Sequence, residues 1–255
     1  MNIIHLTRYI AKKTPIIGPF VRAIRSSRKE DIAYNFSRNE LPSNSKSRNL
    51  TQARNLLSYT KTSGSAYAGK IEPAGYHTIE INGERLLGQR DPEQRLALLN
   101  YDFSGKTVLD LGSNQGAMLH TLADRLSWGV GVDYDYRLVN CANRIAQIRK
   151  ESDIRFYTFD LQKEPIELIE DFLPGSKVDV VFLLSVCMWL NNWRNVIDFA
   201  SRISDQMFFE SNGSKEQQEE QIGYLNIKYR AVEILSHTSD DDNGQKNRKA
   251  IWCVR

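Results

Sequence analysis

The chain has 255 residues, 41% hydrophobic and 25% charged, with a net charge of +3. That is the balance of an ordinary globular protein with room for one large α/β domain plus an extension or for two small ones, and the charge is too small to argue by itself for nucleic acid. Three scattered cysteines without a Cys-x-x-Cys pair argue against a disulfide framework or zinc ribbon. With no apolar run of roughly 18 residues and no signal-peptide pattern, the expected location is cytoplasmic.

Residues 1–29 carry Arg8, Lys12, Lys13, Arg22, Arg25, Arg28 and Lys29 before the first acid, Glu30. Ile3, Leu6 and Ile10, then Phe20, Val21 and Ile24, recur near helical spacing, and Pro15 and Pro19 divide the stretch into two amphipathic pieces. Two readings stand: a basic arm for an anionic membrane surface or RNA, or extension helices packed on the main domain with solvated basic faces. Phe36 to Ser47 is polar and reads as a linker, Leu50, Ala53 and Leu57 suggest a short helix, and a domain boundary is expected at 65–75. The expected division is a basic extension and linker over 1–70 and a main domain over 71–255, whose first part, 71–100, forms a cover.

In that cover, Asn82-Gly83 between two short runs predicts a hairpin whose turn residues take positive φ. Asp91 before Pro92 predicts a helix cap. Val108 to Leu111 reads as a buried strand, Gly112 to Gly116 as a glycine-bounded turn, and Ala117 to Leu126 as an apolar helix. Further strands are expected at Gly129–Asp133, Arg155–Phe159, Val178–Leu184 and Gln206–Glu210. Helices are expected at about Tyr136–Lys150, Glu164–Phe172, Trp193–Ile203 and within Gly213–Ile227. Two closing strands, Ala231–Leu235 and Lys249–Val254, come last. The alternation predicts a doubly wound, Rossmann-like, mostly parallel seven-stranded sheet with an N-terminal helical extension; that its last two strands close as an antiparallel hairpin is implied by the resemblance given below.

Asp110, Asp133 and Asp160 end three successive strands, and ligands in open α/β sheets bind at those ends. An acid 23 residues after the first is placed to accept hydrogen bonds from a ribose diol. The turn Gly112-Ser113-Asn114-Gln115-Gly116 lacks the Gly-x-Gly-x-x-Gly of a dinucleotide site. It resembles motif I of class I S-adenosylmethionine-dependent methyltransferases, Asp/Glu-x-Gly-x-Gly-x-Gly, in Asp110, Gly112 and Gly116, with Asn114 in place of the middle glycine. Asn tolerates unusual backbone angles better than most residues, so the turn is expected to survive that change.

The resemblance covers about Val108 to Arg255 and implies S-adenosylmethionine as methyl donor. It implies that Gly112, Ser113, Asn114, Gln115 and Gly116 face the methionine part and that Asp110 is also a cofactor-binding residue. Asp133 would bind the ribose hydroxyls, with Tyr134 packing on the adenine and Asp160, beside Leu161, recognising the adenine amino group. Ser185 and Val186 would line the pocket. The cover, with Gln89-Arg90-Asp91 and Ser185 to Trp189, also looks loosely like tRNA wobble-uridine carboxymethylating enzymes and their relatives.

Methyl transfer needs an in-line nucleophile held close rather than an obligatory acid–base dyad. For a hydroxyl acceptor the candidate bases are His77, Glu210 and the acids Asp240, Asp241 and Asp242, against ordinary roles in a hairpin or a solvated loop. Arg90 is a candidate for the cofactor carboxylate, or else a capping contact to Asp91. No Asp/Asn-Pro-Pro-Tyr/Phe follows the fourth strand and no Pro precedes Cys187, which argues against amino methylation of adenine or cytosine and against pyrimidine C5 methylation. No acids follow the fourth strand in the catechol-type pattern, so no metal is expected. The favoured acceptor is a small molecule, sugar or lipid-linked metabolite, at O or N. RNA served by the basic arm is the alternative, a non-catalytic adenosyl-binding module is a third reading, and DNA is not expected.

Overall fold

A computed structural model describes residues 45–61, 74–241 and 247–255. The basic segment 1–29, most of the linker and Asp242 lie outside the described residues. The first described element is the helix α1 (Ser45–Thr60), longer than the short helix its apolar spacing predicts. Ala53, Leu57 and Thr60, spaced i, i+4 and i+7 on one face, are its buried residues. The chain divides into two compact units, Met1–Thr51 and Gln52–Arg255. The second carries the cover and the main sheet.

The cover comprises β1 (Gly75–His77), β2 (Ile79–Ile81), β3 (Glu84–Leu86), β4 (Gly88–Arg90) and the single-turn helix α2 (Pro92–Leu96). β2 and β3 form the predicted hairpin, with Asn82 and Gly83 at φ 55° and 82°. β1 and β4 run parallel, and a Cβ on Gly88 would lie 2.3 Å from the His77 carbonyl carbon, so this crossing requires glycine. Asp91 caps α2 by accepting from the Glu93 N–H, and Pro92 opens it.

The main sheet contains β5 (Thr107–Leu111), β6 (Trp128–Asp133), β7 (Ile154–Thr158), β8 (Val180–Leu184), β9 (Gln206–Glu210), β10 (Ala231–Ser236) and β11 (Ala250–Val254), in the order β10-β11-β9-β8-β5-β6-β7. β5 to β9 are parallel. β11 runs antiparallel between β9 and β10, which is the expected closing hairpin. The crossovers carry α3 (Ala117–Leu122), α4 (Tyr136–Arg149), α5 (Trp193–Ile203) and α6 (Lys215–Lys228). The stretch expected as a helix at Glu164–Phe172 is instead a 3-10 turn series, Ile166–Phe172, entered from Pro165 and closed at an extended Leu173. With proline before it and only seven residues to wind, it stays in the tighter form.

The sheet separates two cores. Leu109, Leu111, Val181, Leu183, Met207 and Phe209 face one, under α5 and α6. Val108, Phe182 and Phe208 face the other, with Leu96, Met118, Leu119 and Leu122. Strand alternation puts Asp110 on the same face as Val108, and Glu210 on the same face as Phe208. Two buried acids therefore emerge at the carboxyl edge beneath α2 and the cover.

Candidate functional site

The turn after β5 is built from three consecutive constraints. Gly112 sits at φ +85°, and a Cβ there would come within 2.5 Å of Val186 Cγ2. Asn114 takes the left-handed region at φ 52°, and its Oδ1 accepts from the Gln115 N–H at 2.9 Å. Gly116, at φ +76°, opens α3, and a Cβ there would meet the Phe156 ring at 2.4 Å. Asn114 thus supplies the backbone conformation that the motif's middle glycine would supply, because its short polar side chain compensates locally. Asn114→Gly is expected to fold with near-native stability, whereas Asn114→Ala, which loses that compensation, should lose about 1 kcal/mol relative to it in chemical denaturation.

Asp133 closes β6 and is buried. Its Oδ2 accepts from the Asn114 N–H and its Oδ1 from the Asp135 N–H, both at 2.9 Å. A carboxylate oxygen has two lone-pair directions, so each retains capacity for a hydroxyl donor. Burial raises its pKa to about 6, against the backbone donors that lower it. Tyr134 next to it is largely exposed, as is Tyr136. Gln115 Nε2 donates to Thr60 Oγ1 at 2.6 Å, so the end of α1 leans on the turn.

Asp110 is buried, and its Oδ2 has no hydrogen-bond partner among the described residues. Burial lifts its pKa to about 7, with Arg95 opposing and Asp133 adding to the rise. An orphaned buried oxygen, three left-handed turn positions and a carboxylate with spare acceptor capacity fit the adenosyl cofactor that the sequence implies.

Asp160 stands two residues beyond β7. Its carboxylate accepts from the Gln162 N–H at 3.0 Å and pairs with Lys163 at 2.8 Å, a bond that pulls its pKa down. Leu161 is buried beside it. Ser185, at φ 62°, turns the chain after β8 and brings Val186 against Gly112. Asn212, which the sequence does not single out, holds this turn: its Nδ2 donates to the Ser185 carbonyl at 2.6 Å and its Oδ1 accepts from the Met188 N–H at 2.9 Å.

Over the ends of β8 and β9 lies a buried ion network. Arg90 Nη2 donates to both Glu210 oxygens, at 2.8 and 3.1 Å, and Arg90 Nε donates to Asp240 Oδ1 at 2.8 Å. Arg95 from α2 pairs with the same Glu210. Arg248 Nη1 bridges Asp241 at 2.7 Å and Ser185 Oγ at 3.2 Å, while Asp240 Oδ2 accepts from the Asp91 N–H at 2.9 Å. These contacts revise three expectations. Arg90 is committed to Glu210 and Asp240 and does not offer its fork to a ligand carboxylate. Glu210 is a weak base, because Arg95 and Arg90 outweigh its burial and hold its pKa below the ordinary value. Asp240, which stays partly exposed, and buried Asp241 are both members of this network. Nothing local in the sequence marks Arg95 and Arg248 as partners, though Arg90 precedes the capped turn of α2 and Arg95 lies within it.

His77 is buried in β1, with Arg95 Nη1 at 3.3 Å from its Nε2. Burial, then Arg95 and Arg90, push its pKa well below 6.5, so the ring is neutral. Arginine only donates, so Nε2 accepts and the ring proton resides on Nδ1. That N–H has no partner among the described residues.

A doubly wound sheet with an antiparallel closing hairpin, a glycine-type turn after its central strand and an acid ending the next strand form the arrangement in which α/β proteins bind nucleoside cofactors at the carboxyl edge. Residues 109–206 match a family model described as a methyltransferase domain. That match, with the fold and the turn after β5, supports a class I S-adenosylmethionine-dependent methyltransferase with S-adenosylmethionine as methyl donor. Its fold is similar to the N-terminal domain of EvdMO1 with S-adenosylhomocysteine (SAH) bound, at 11% identity and a TM-score of 0.54 over 69% of this chain and 90% of that one. The same domain in the presence of SAH and D-fucose aligns at 12% identity and a TM-score of 0.52, over 70% and 89%. WbdD aligns at 16% identity and a TM-score of 0.52 over 66% of this chain and 41% of that one. No curated protein matches the chain. Among the described residues, no helix is long and apolar enough to cross a membrane.

Proposed function

We propose that the methyl acceptor is a small molecule, a sugar or lipid-linked metabolite, methylated at oxygen or nitrogen. The observation that carries this reading is the ion network above β8 and β9. It ties Arg90 and Arg95 of the cover to Glu210, and Arg90 also to Asp240 of the loop after β10. A roof stitched from buried charges favours an acceptor small enough to be enclosed over a polymer laid across the edge. A sugar is consistent with the D-fucose present with the EvdMO1 domain. The RNA alternative rests on residues 1–29, outside the described residues.

In this reading Asp133 accepts from the ribose hydroxyls, and Tyr134 packs on the adenine with Asp160 and Leu161 at its edge. The turn from Gly112 to Gly116 faces the methionine part, and Ser185 and Val186 form the wall towards the acceptor. When bound, the cofactor supplies a methyl group already activated on a sulfonium, so positioning is the chain's main contribution. The test is transfer of labelled methyl from the donor to fractionated sugars, lipid-linked sugars and RNA. Label should enter a small-molecule fraction and disappear with Asp133→Ala; label confined to RNA would overturn the reading.

A further inference from the structure

The turn after β8 carries one large side chain that the fold leaves in water. Cys187, Met188 and Trp189 form a 3-10 turn, closed by the Trp189 N–H on the Val186 carbonyl at 3.0 Å. Cys187 is buried and Val186 and Leu190 pack against the core, yet Trp189 is 70% exposed. Side chains three residues apart in a 3-10 turn stand on the same side. Trp189 therefore shares a side with Val186, whose Cγ2 lies so near the cofactor turn that a Cβ on Gly112 would meet it at 2.5 Å. The indole borders the wall assigned above to the acceptor.

Both flanks of this turn are pinned. Asn212 Oδ1 accepts from the Met188 N–H at 2.9 Å, and the Asn212 backbone is itself held by the Gln221 side chain of α6. On the other flank Gln162 Oε1 accepts from the Asn191 N–H at 2.7 Å, and Asn192 Nδ2 donates to the Leu161 carbonyl at 2.8 Å. A large ring kept in water on a fixed backbone is a preorganised contact surface, because little ordering is left to lose when a ligand covers it.

The charges nearby say what kind of ligand fits. The arginines over this edge are already opposed by carboxylates, Arg90 and Arg95 by Glu210 and Arg248 by Asp241. An anionic group would compete with those carboxylates, whereas an uncharged ring would not. The face of an indole is negative and attracts C–H groups of slight positive character. A sugar ring presents C–H groups on its face and hydroxyls around its rim. Ser185 Oγ accepts from Arg248 and keeps its own proton to donate to such a hydroxyl. We infer that Trp189 is the stacking platform for an uncharged sugar ring of the methyl acceptor. The inference rests on the small-molecule reading above and narrows it.

The experiment measures initial rates of labelled methyl transfer by the full chain against rising concentrations of the neutral or lipid-linked sugar fraction, with calorimetric binding of SAH alongside. Trp189→Ala should raise the half-saturating sugar concentration roughly tenfold, as for a lost aromatic contact, while the maximal rate changes less than about twofold and SAH affinity holds. Trp189→Phe, which keeps a ring face, should stay near wild type. Trp189→Leu, which keeps apolar bulk without one, should follow alanine. An unchanged half-saturating concentration in the alanine variant, leucine serving as well as tryptophan, or a parallel loss of SAH binding would overturn the platform and leave the small-molecule reading standing. So would label that enters only a small molecule without a sugar ring. Label confined to RNA, or absent altogether, would overturn the reading and the platform together.

Discussion

Glu210→Ala is expected to lose about 3–5 kcal/mol of folding stability, the range for removing one partner of a buried ion pair. Glu210 is 3% exposed, and it faces Arg90 and Arg95, whose side chains are 1% and 6% exposed. Without the carboxylate, two guanidinium groups remain in a desolvated space, and arginine cannot escape by losing its proton. Asp240 still reaches Arg90, but its side chain is 23% exposed and it offers Arg95 nothing in the observed contacts. Glu210→Gln should fall between wild type and alanine, because the amide keeps an acceptor oxygen while the charge is lost. Denaturant unfolding monitored by circular dichroism measures both. A variant as stable as wild type yet unable to transfer methyl would instead assign Glu210 to the chemistry.

The ion network around Glu210 is the part of the molecule least legible in the sequence. Strand periods, turn chemistry and caps are local, so β5 with its glycine turn, the Asn82-Gly83 hairpin and the Asp91 cap can be read from neighbouring residues. The closing antiparallel hairpin is expected from the family resemblance rather than from neighbouring residues. The partners of Glu210 cannot be read in this way, since Arg90 is 120 residues away and Arg95 is 115. A lone acid at a strand end suggests a base until the guanidinium groups facing it are known. Asn114 is the opposite case. Its departure from the glycine motif is visible, and the reason it is tolerated, a short side chain at φ 52° bonded to the next N–H, is local chemistry. Asp160 lies between. Its place after the third strand of the crossover series is legible, but its pairing with Lys163 depends on how the chain turns there.

Cofactor affinity is expected to rise with pH, with SAH binding at least about tenfold more tightly at pH 7.5 than at pH 5.5. Asp110 has its pKa raised to about 7 by burial, opposed by Arg95 of α2 and reinforced by Asp133 of β6. Below that value it is neutral and attracts the positively charged methionine end of the cofactor weakly; above it the carboxylate attracts that end in a site where water does not screen the charge. Asp133, raised to about 6, adds to the same trend at the lower end of the range, since an ionised carboxylate is the better acceptor for ribose hydroxyls. His77 stays neutral and Glu210 ionised across this window, because the first is pushed well below its ordinary value and the second below its own. The sign for the ligand-free fold is the reverse. A carboxyl group whose folded pKa exceeds its unfolded value of 3.8 withdraws stability as pH climbs from there towards about 7. Ligand-induced thermal stabilisation should therefore grow with pH. Asp110→Asn should flatten the binding profile above pH 6 and leave only the slope below it that belongs to Asp133. A flat profile in the wild type would place the charged end of the cofactor away from Asp110.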